Sequence, residues 1–181
     1  MREIWLRPNR RALWFGTVPP ALLFLIGAWL FFGIEQPIAR WRLWVGLAMM
    51  SVGITLAAGL IGQMRRPRIA YCDGQVLFDL RSSSPIAVPV EHVEAFFLGQ
   101  GPLALPGAAQ EGATMNLVAR ISQRAPEWSH QEVKPALGRW CDGYVTIRGT
   151  WCEPLHGELI RRLNHRLREV SEEQKSMIVD R

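Results

Sequence analysis

The stretch RIAYCDGQVLFDL, residues 68–80, reads as two short strands folded about Asp73-Gly74. Apolar residues alternate on both sides of a dipeptide suited to the two positive φ angles of a type I′ turn. With a two-residue turn, Cys72 falls opposite Gln75 and Tyr71 opposite Val76, so Ile69, Tyr71, Val76 and Phe78 share one face. This part of the chain is therefore expected to be a β domain.

The Cys-Asp-Gly triplet returns in WCDGYVTIRGTWC, residues 140–152. Turning at Asp142-Gly143 sets Cys141 opposite Tyr144 and Trp140 opposite Val145, with Trp140, Val145 and Ile147 on one face. In both hairpins an aromatic beside the cysteine pairs with a valine, so the repetition is explained by sheet geometry. Cys141, Cys152 and His156 give C-x10-C-x3-H, which lacks the short knuckle of a structural zinc site. No metal or cofactor is expected. Three cysteines on a cytoplasmic domain read as free, reduced thiols.

Further strands are expected around Glu91-His92 in SPIAVPVEHVEAFFLG, residues 84–99, and in TMNLVARIS, residues 114–122. Two longer connections, 99–113 and 123–138, are candidate binding surfaces. Trp128 lies in the second with no strand pattern to bury it, while His92 and His130 read as solvated. The chain closes on EPLHGELIRRLNHRLREVSEEQKS, where Leu155, Leu159, Leu163, Leu167 and Val170 recur at helical spacing after Pro154. This predicts an amphipathic helix over about 154–173, with Arg161, Arg162, His165, Arg166 and Arg168 on its polar face.

Towards the N-terminus the composition changes. Residues 12–34 and 43–64 carry no charge, and each exceeds the roughly 20 residues that a bilayer-crossing helix needs. The first run is longer than a signal-peptide core and no small-residue cleavage site follows Ile34, so it reads as a permanent anchor. The link EQPIARWR, residues 35–42, is expected to be a short external loop between two antiparallel transmembrane helices.

Charge sets the orientation. Residues 1–11 form a basic N-terminus with Arg2, Arg7, Arg10 and Arg11, and Arg65, Arg66 and Arg68 follow the second run, against only Arg40 and Arg42 in the link. The positive-inside rule then places both termini in the cytoplasm, at the plasma or inner membrane. Trp5, Trp14, Trp41 and Trp44 fall near the expected boundaries, where indole rings prefer to lie. Pro19-Pro20 calls for a neighbour or a kink to compensate two missing donors. In the second helix Gly53-x-x-x-Ala57 and Ala58-x-x-x-Gly62 are candidates for close helix packing.

The formal charge of +5 divides unevenly: residues 1–42 hold six arginines and two glutamates, net +4, whereas residues 65–181 are near neutral. A juxtamembrane excess suits anionic lipid, not a nucleic-acid groove. Candidate contacts to anionic lipid or a protein partner are Arg65, Arg66, Arg68, Arg161, Arg162, Arg166 and Trp128.

A membrane hairpin at 12–64, the basic exit RRPR at 65–68, the strands IAYCDGQVLFDL and IAVPVEHVEAF, and a final helix together resemble the bacterial pleckstrin-homology-like membrane proteins. The resemblance implies an α+β membrane protein with a PH-like antiparallel β-sandwich or barrel over 67–181, closed by the C-terminal helix. It implies no substrate.

Three functions follow as expectations. The first is a membrane-anchored, non-enzymatic binding or scaffold module at the cytoplasmic face; the second is an accessory subunit of a larger membrane complex. The third, a thiol- or metal-dependent enzyme, is opposed by the absence of phosphate-loop, dinucleotide, zinc-protease and nucleophile-elbow motifs.

Overall fold

A computed structural model of the chain describes residues 2–32, 40–81, 84–102 and 113–179. It divides into two compact units, a β unit of Met1–Pro8 with Pro67–Arg181 and a helical unit of Asn9–Arg66.

In the β unit the first sheet runs β1 (Glu3–Leu6), β2 (Ile69–Cys72), β3 (Gln75–Phe78), β4 (Ile86–Pro89), in that order and antiparallel throughout. The second has β5 (Val93–Pro102), β6 (Ala113–Ile121), β8 (Tyr144–Ile147) and β7 (Gly138–Cys141) as neighbours. Both Asp-Gly turns hold the expected register: Tyr71 pairs Val76, Cys72 pairs Gln75, Trp140 pairs Val145 and Cys141 pairs Tyr144. Their φ angles, 49° and 79° at Asp73-Gly74 and 52° and 75° at Asp142-Gly143, are those of type I′ turns.

Several expectations are corrected. A closed barrel is not formed: two separate four-stranded sheets face a common core among the described residues. The second sheet departs from chain order, because the connection after β6 carries the chain to the outer edge and the β7–β8 hairpin folds back to pair β8 with β6. Of the expected loop 99–113, residues 99–102 and 113 are strand, and 103–112 lie outside the described residues. The last helix, α4, spans Gly157–Val179 rather than starting at Pro154, and its first backbone bond runs from the Ile160 N–H to the His156 carbonyl.

The largest departure is β1. Residues 1–11 read as a basic tail, yet Glu3–Leu6 form an edge strand in which Trp5 and Leu6 are 4% and 0% exposed. A register shift between Ile4 and Leu6 sends two successive side chains inward, which destroys the alternation that would announce a strand. Trp5 is therefore not a membrane-boundary residue: it stacks on Tyr71 at 5.5 Å and meets Phe96 edge-on at 6.2 Å.

Helix α4 covers the core with Leu159, Leu163, Leu167 and Val170, all buried. Asn164 fixes it to the edge strand β5, accepting the Phe96 N–H and donating to the Phe96 carbonyl, both at 2.8 Å. The side-chain amide thus takes the place of a neighbouring strand on the open edge of β5. Asn164→Ala strands both backbone groups and is expected to lower stability by about 1–3 kcal/mol, read as a fall in urea midpoint at unchanged slope.

The helical unit contains α1 (Arg10–Gly16), α2 (Val18–Phe32) and α3 (Arg40–Arg65). The expected single helix over 12–34 is interrupted at Thr17, whose N–H and hydroxyl both donate to the Trp14 carbonyl. Pro19 and Pro20 then occupy the first turn of α2, where the missing N–H groups would have had no partner. The segments Trp14–Phe32 and Trp41–Arg65 are long and apolar enough to cross a membrane. Of the expected external loop, 35–39 lie outside the described residues and Arg40 to Arg42 are helical.

Close approach of α2 and α3 is set by Gly27, Gly46 and Gly53. A Cβ on Gly53 would lie 2.9 Å from the Pro20 carbonyl oxygen, and one on Gly46 would lie 2.9 Å from the Gly27 oxygen. Gly53 was expected at a packing seam, with Ala57 one turn on and half-buried, whereas Ala58 and Gly62 face away from α2 and are exposed. The closest approaches on α3 fall at Gly46 and Gly53, seven residues apart.

Candidate binding cleft

Glu3, Ile4, Trp5 and Arg7 on and just after β1, Glu153 before α4, and Arg162, Leu163 and Arg166 on α4 line a cleft of about 490 Å³ in the β unit. Its geometry depends on β1 being an ordered strand. The Arg7 N–H donates to Glu153 Oε1 at 3.0 Å, and the Glu153 N–H donates back to the Arg7 carbonyl at 3.0 Å. On the helix side, Arg166 grips Glu3 through Nε and Nη2 at 2.9 and 3.0 Å and reaches Glu169 through Nη1 at 2.9 Å. Hydrogen bonds from Arg166 hold the Glu169 carboxyl below its usual range, and the bonds it donates to Glu3 and Glu169 raise the guanidinium's own pKa. The groups are about a third exposed, so the pair is worth on the order of 1 kcal/mol and mainly fixes where β1 lies under α4.

The expected contact residues separate into three sets. Arg162 and Arg166 meet at the cleft, and Arg161 is exposed beside them on α4. Arg65 and Arg66 are exposed at the end of the helical unit. Arg68 is corrected: it is 2% exposed, so it cannot meet lipid head groups. Its N–H donates to the Leu6 carbonyl, its carbonyl accepts from Asp79, and its Nε reaches the Trp151 carbonyl at 3.4 Å. The residue ties β1, the end of β3 and the Gly149–Trp151 turn together. Trp128 is half-buried against the core and its carbonyl accepts the Trp140 indole N–H at 2.7 Å, so it is a packing residue within the connection 123–138.

The thiols answer to local chemistry. Cys72 and Cys141, half-buried, each donate to the carboxylate of the following aspartate at 3.2 and 3.3 Å, and this bond raises both pKa values. Cys152 is 1% exposed and burial pushes its thiol up to about 12, with Arg68 opposing. The native state keeps that proton while an unfolded thiol ionises near pH 8.5, so this contribution is complete below that pH and is lost as pH rises towards 12. In alkaline denaturation Cys152→Ser is expected to show a flatter decline than the wild type, after an initial cost of about 1 kcal/mol. Equal slopes would reject this assignment.

The sequence did not reveal the cleft because Trp5, Arg7 and Glu153 appear important only once β1 is paired. Comparisons of the chain with protein-family models, with curated proteins and with solved structures find no match.

Proposed function

We propose that the protein is a membrane-anchored, non-enzymatic binding module whose β unit works at the cytoplasmic face. The observation that carries this reading is the insertion of the apolar helical unit, residues 9–66, between two paired strands, β1 and β2. Pairing of Leu6 with Ile69 keeps both ends of the insertion together, so a hairpin that enters a bilayer must return to the side it left. The outward apolar side chains of that unit, Trp14, Leu22, Trp29, Trp41, Trp44 and Leu56 among them, suit hydrocarbon and interface better than water. The basic residues flanking the two outer helix ends favour the cytoplasm for that side. Two antiparallel sheets under a C-terminal helix are consistent with a PH-like arrangement.

The cysteines give a native test, since all three belong to the β unit. A membrane-impermeant maleimide should label Cys72 and Cys141 in inside-out vesicles and leave them unlabelled in sealed right-side-out vesicles. Labelling in both, or release of the protein by alkaline carbonate, would overturn the anchored cytoplasmic reading.

A second reading, an accessory subunit of a larger membrane complex, is favoured by α3: Ala58 is exposed, and nothing within 4 Å would meet a Cβ at Gly59 or Gly62. Stoichiometric membrane proteins retained through purification in mild detergent would select it.

A further inference from the structure

We infer that the groove between α2 and α3 in the helical unit holds the chain of an uncharged lipid alcohol, whose hydroxyl donates to the break between α1 and α2. The inference rests on the reading of that unit as a membrane anchor and names what the anchor binds.

The break settles the donors of α2 but leaves acceptors of α1 unmet. Pro19 and Pro20 carry no amide hydrogen, so the carbonyls of Phe15 and Gly16, four residues earlier, lack the bonds that a continuous helix would give them. No other backbone N–H among the described residues takes their place. Thr17 supplies no donor either, because its N–H and its hydroxyl hydrogen both go to the Trp14 carbonyl. Its hydroxyl oxygen remains as a third acceptor. The apolar span begins at Trp14, so these oxygens lie where the polar end of a lipid meets its chains. An unmet carbonyl at the edge of hydrocarbon is costly, and what it lacks is a donor. Phosphate and carboxylate oxygens only accept, so they do not meet that need; a hydroxyl does.

The groove starts at the same place. Trp14, Thr17 and Pro20 line one end of a cavity of about 590 Å³, a volume within the range of small-molecule sites. Phe24, Ala57 and Ile61 carry the lining onward, and the side-chain nitrogen and oxygen atoms of the groove belong to Trp14 and Thr17 alone. The site is therefore polar at one end and apolar along its length, as an amphiphile is. From Trp14 to Leu25 the helix rise amounts to about 16 Å, roughly half of the hydrocarbon core and so the depth of one leaflet. A helix of a second copy or of a partner would cover the apolar surface, but its backbone N–H groups are bonded within itself and bring no donor to the two carbonyls.

The test uses the full-length protein in phosphatidylcholine nanodiscs doped with equal amounts of dioleoylglycerol and its 3-O-methyl ether, and native mass spectrometry identifies the lipids retained. The wild type is expected to keep the alcohol over the ether by about fivefold or more, the effect of one hydrogen bond. Pro19→Ala with Pro20→Ala returns donors to the Phe15 and Gly16 carbonyls, so this variant should retain alcohol and ether equally. Ala21→Phe, at an exposed position that lines the groove, should lose both lipids, whereas Leu22→Phe, exposed beside it but outside the groove, should keep the wild-type preference. Equal helix content by circular dichroism in all four proteins separates these effects from misfolding. No retained dioleoylglycerol, equal retention of the ether by the wild type, or an unchanged preference in the double proline variant would overturn the inference. A dimer that Ala21→Phe dissolves would overturn it too and give the groove to a second copy. Extraction by alkaline carbonate is independent of this result: a protein that stays in the membrane but shows no preference keeps the anchored reading and loses the ligand.

Discussion

Deletion of residues 2–8 is expected to abolish the cooperative unfolding transition of the β unit. These residues supply an edge strand whose Trp5 and Leu6 sit in the core at 4% and 0% exposure. Removing them uncovers Tyr71 and Phe96, which lose their ring partner, and leaves the Arg68 N–H and the Glu153 N–H without acceptors. Large-to-small changes at buried Trp and Leu cost about 3–5 and 2–5 kcal/mol, and a typical domain has only about 5–15 kcal/mol in total. The segment 67–181 expressed alone should therefore be poorly folded, and residues 1–8 joined to 67–181 by a short glycine-rich loop should fold in water. A folded 67–181 with the stability of the joined chain would show that β1 contributes nothing.

Trp140→Ala should cost about 3–5 kcal/mol, near the top of the range for a single substitution. Trp140 is 2% exposed on β7 and meets Phe78 of β3 edge-on at 5.6 Å, so its ring joins the two sheets across the core. Its loss also leaves the Trp128 carbonyl without the donor that anchors the connection 123–138. Trp140→Phe keeps part of the ring contact but loses the N–H and the volume of the five-membered ring, so it should cost less, about 1–3 kcal/mol. Urea denaturation distinguishes the two; a loss below about 1 kcal/mol for the alanine variant would mean that the sheets are held together elsewhere.

What was legible in the sequence was whatever depends on neighbouring residues. Both Asp-Gly turns fixed their registers because a type I′ turn admits few residue types and leaves no slack between its strands. The core face of α4 and the two apolar helices followed from period and length. Long-range pairing was not legible. The strand at Glu3–Leu6 finds its partner across the whole helical insertion, and its irregular register hides its alternation. Arg68 looked like the last residue of a basic membrane flank, yet it lies one residue from Ile69, where the chain has already entered the core. Of the cleft, Arg162 and Arg166 were read from the polar face of the last helix, while Arg7 belonged to a segment taken as a tail. Gly46 and Gly27 escaped notice because a small-residue spacing of four does not find glycines seven apart or on the facing helix.

The claim on which the rest depends is that residues 3–6 are a strand of the β unit with the apolar helices inserted behind them. Amide hydrogen exchange on the full-length protein in nanodiscs tests it directly. The account predicts that the amides of β1 that face β2 exchange slowly, with protection comparable to that of residues 69–72 and lost together with it in denaturant. Exchange of residues 3–6 at the rate of a free tail, beside a protected 69–72, would contradict it.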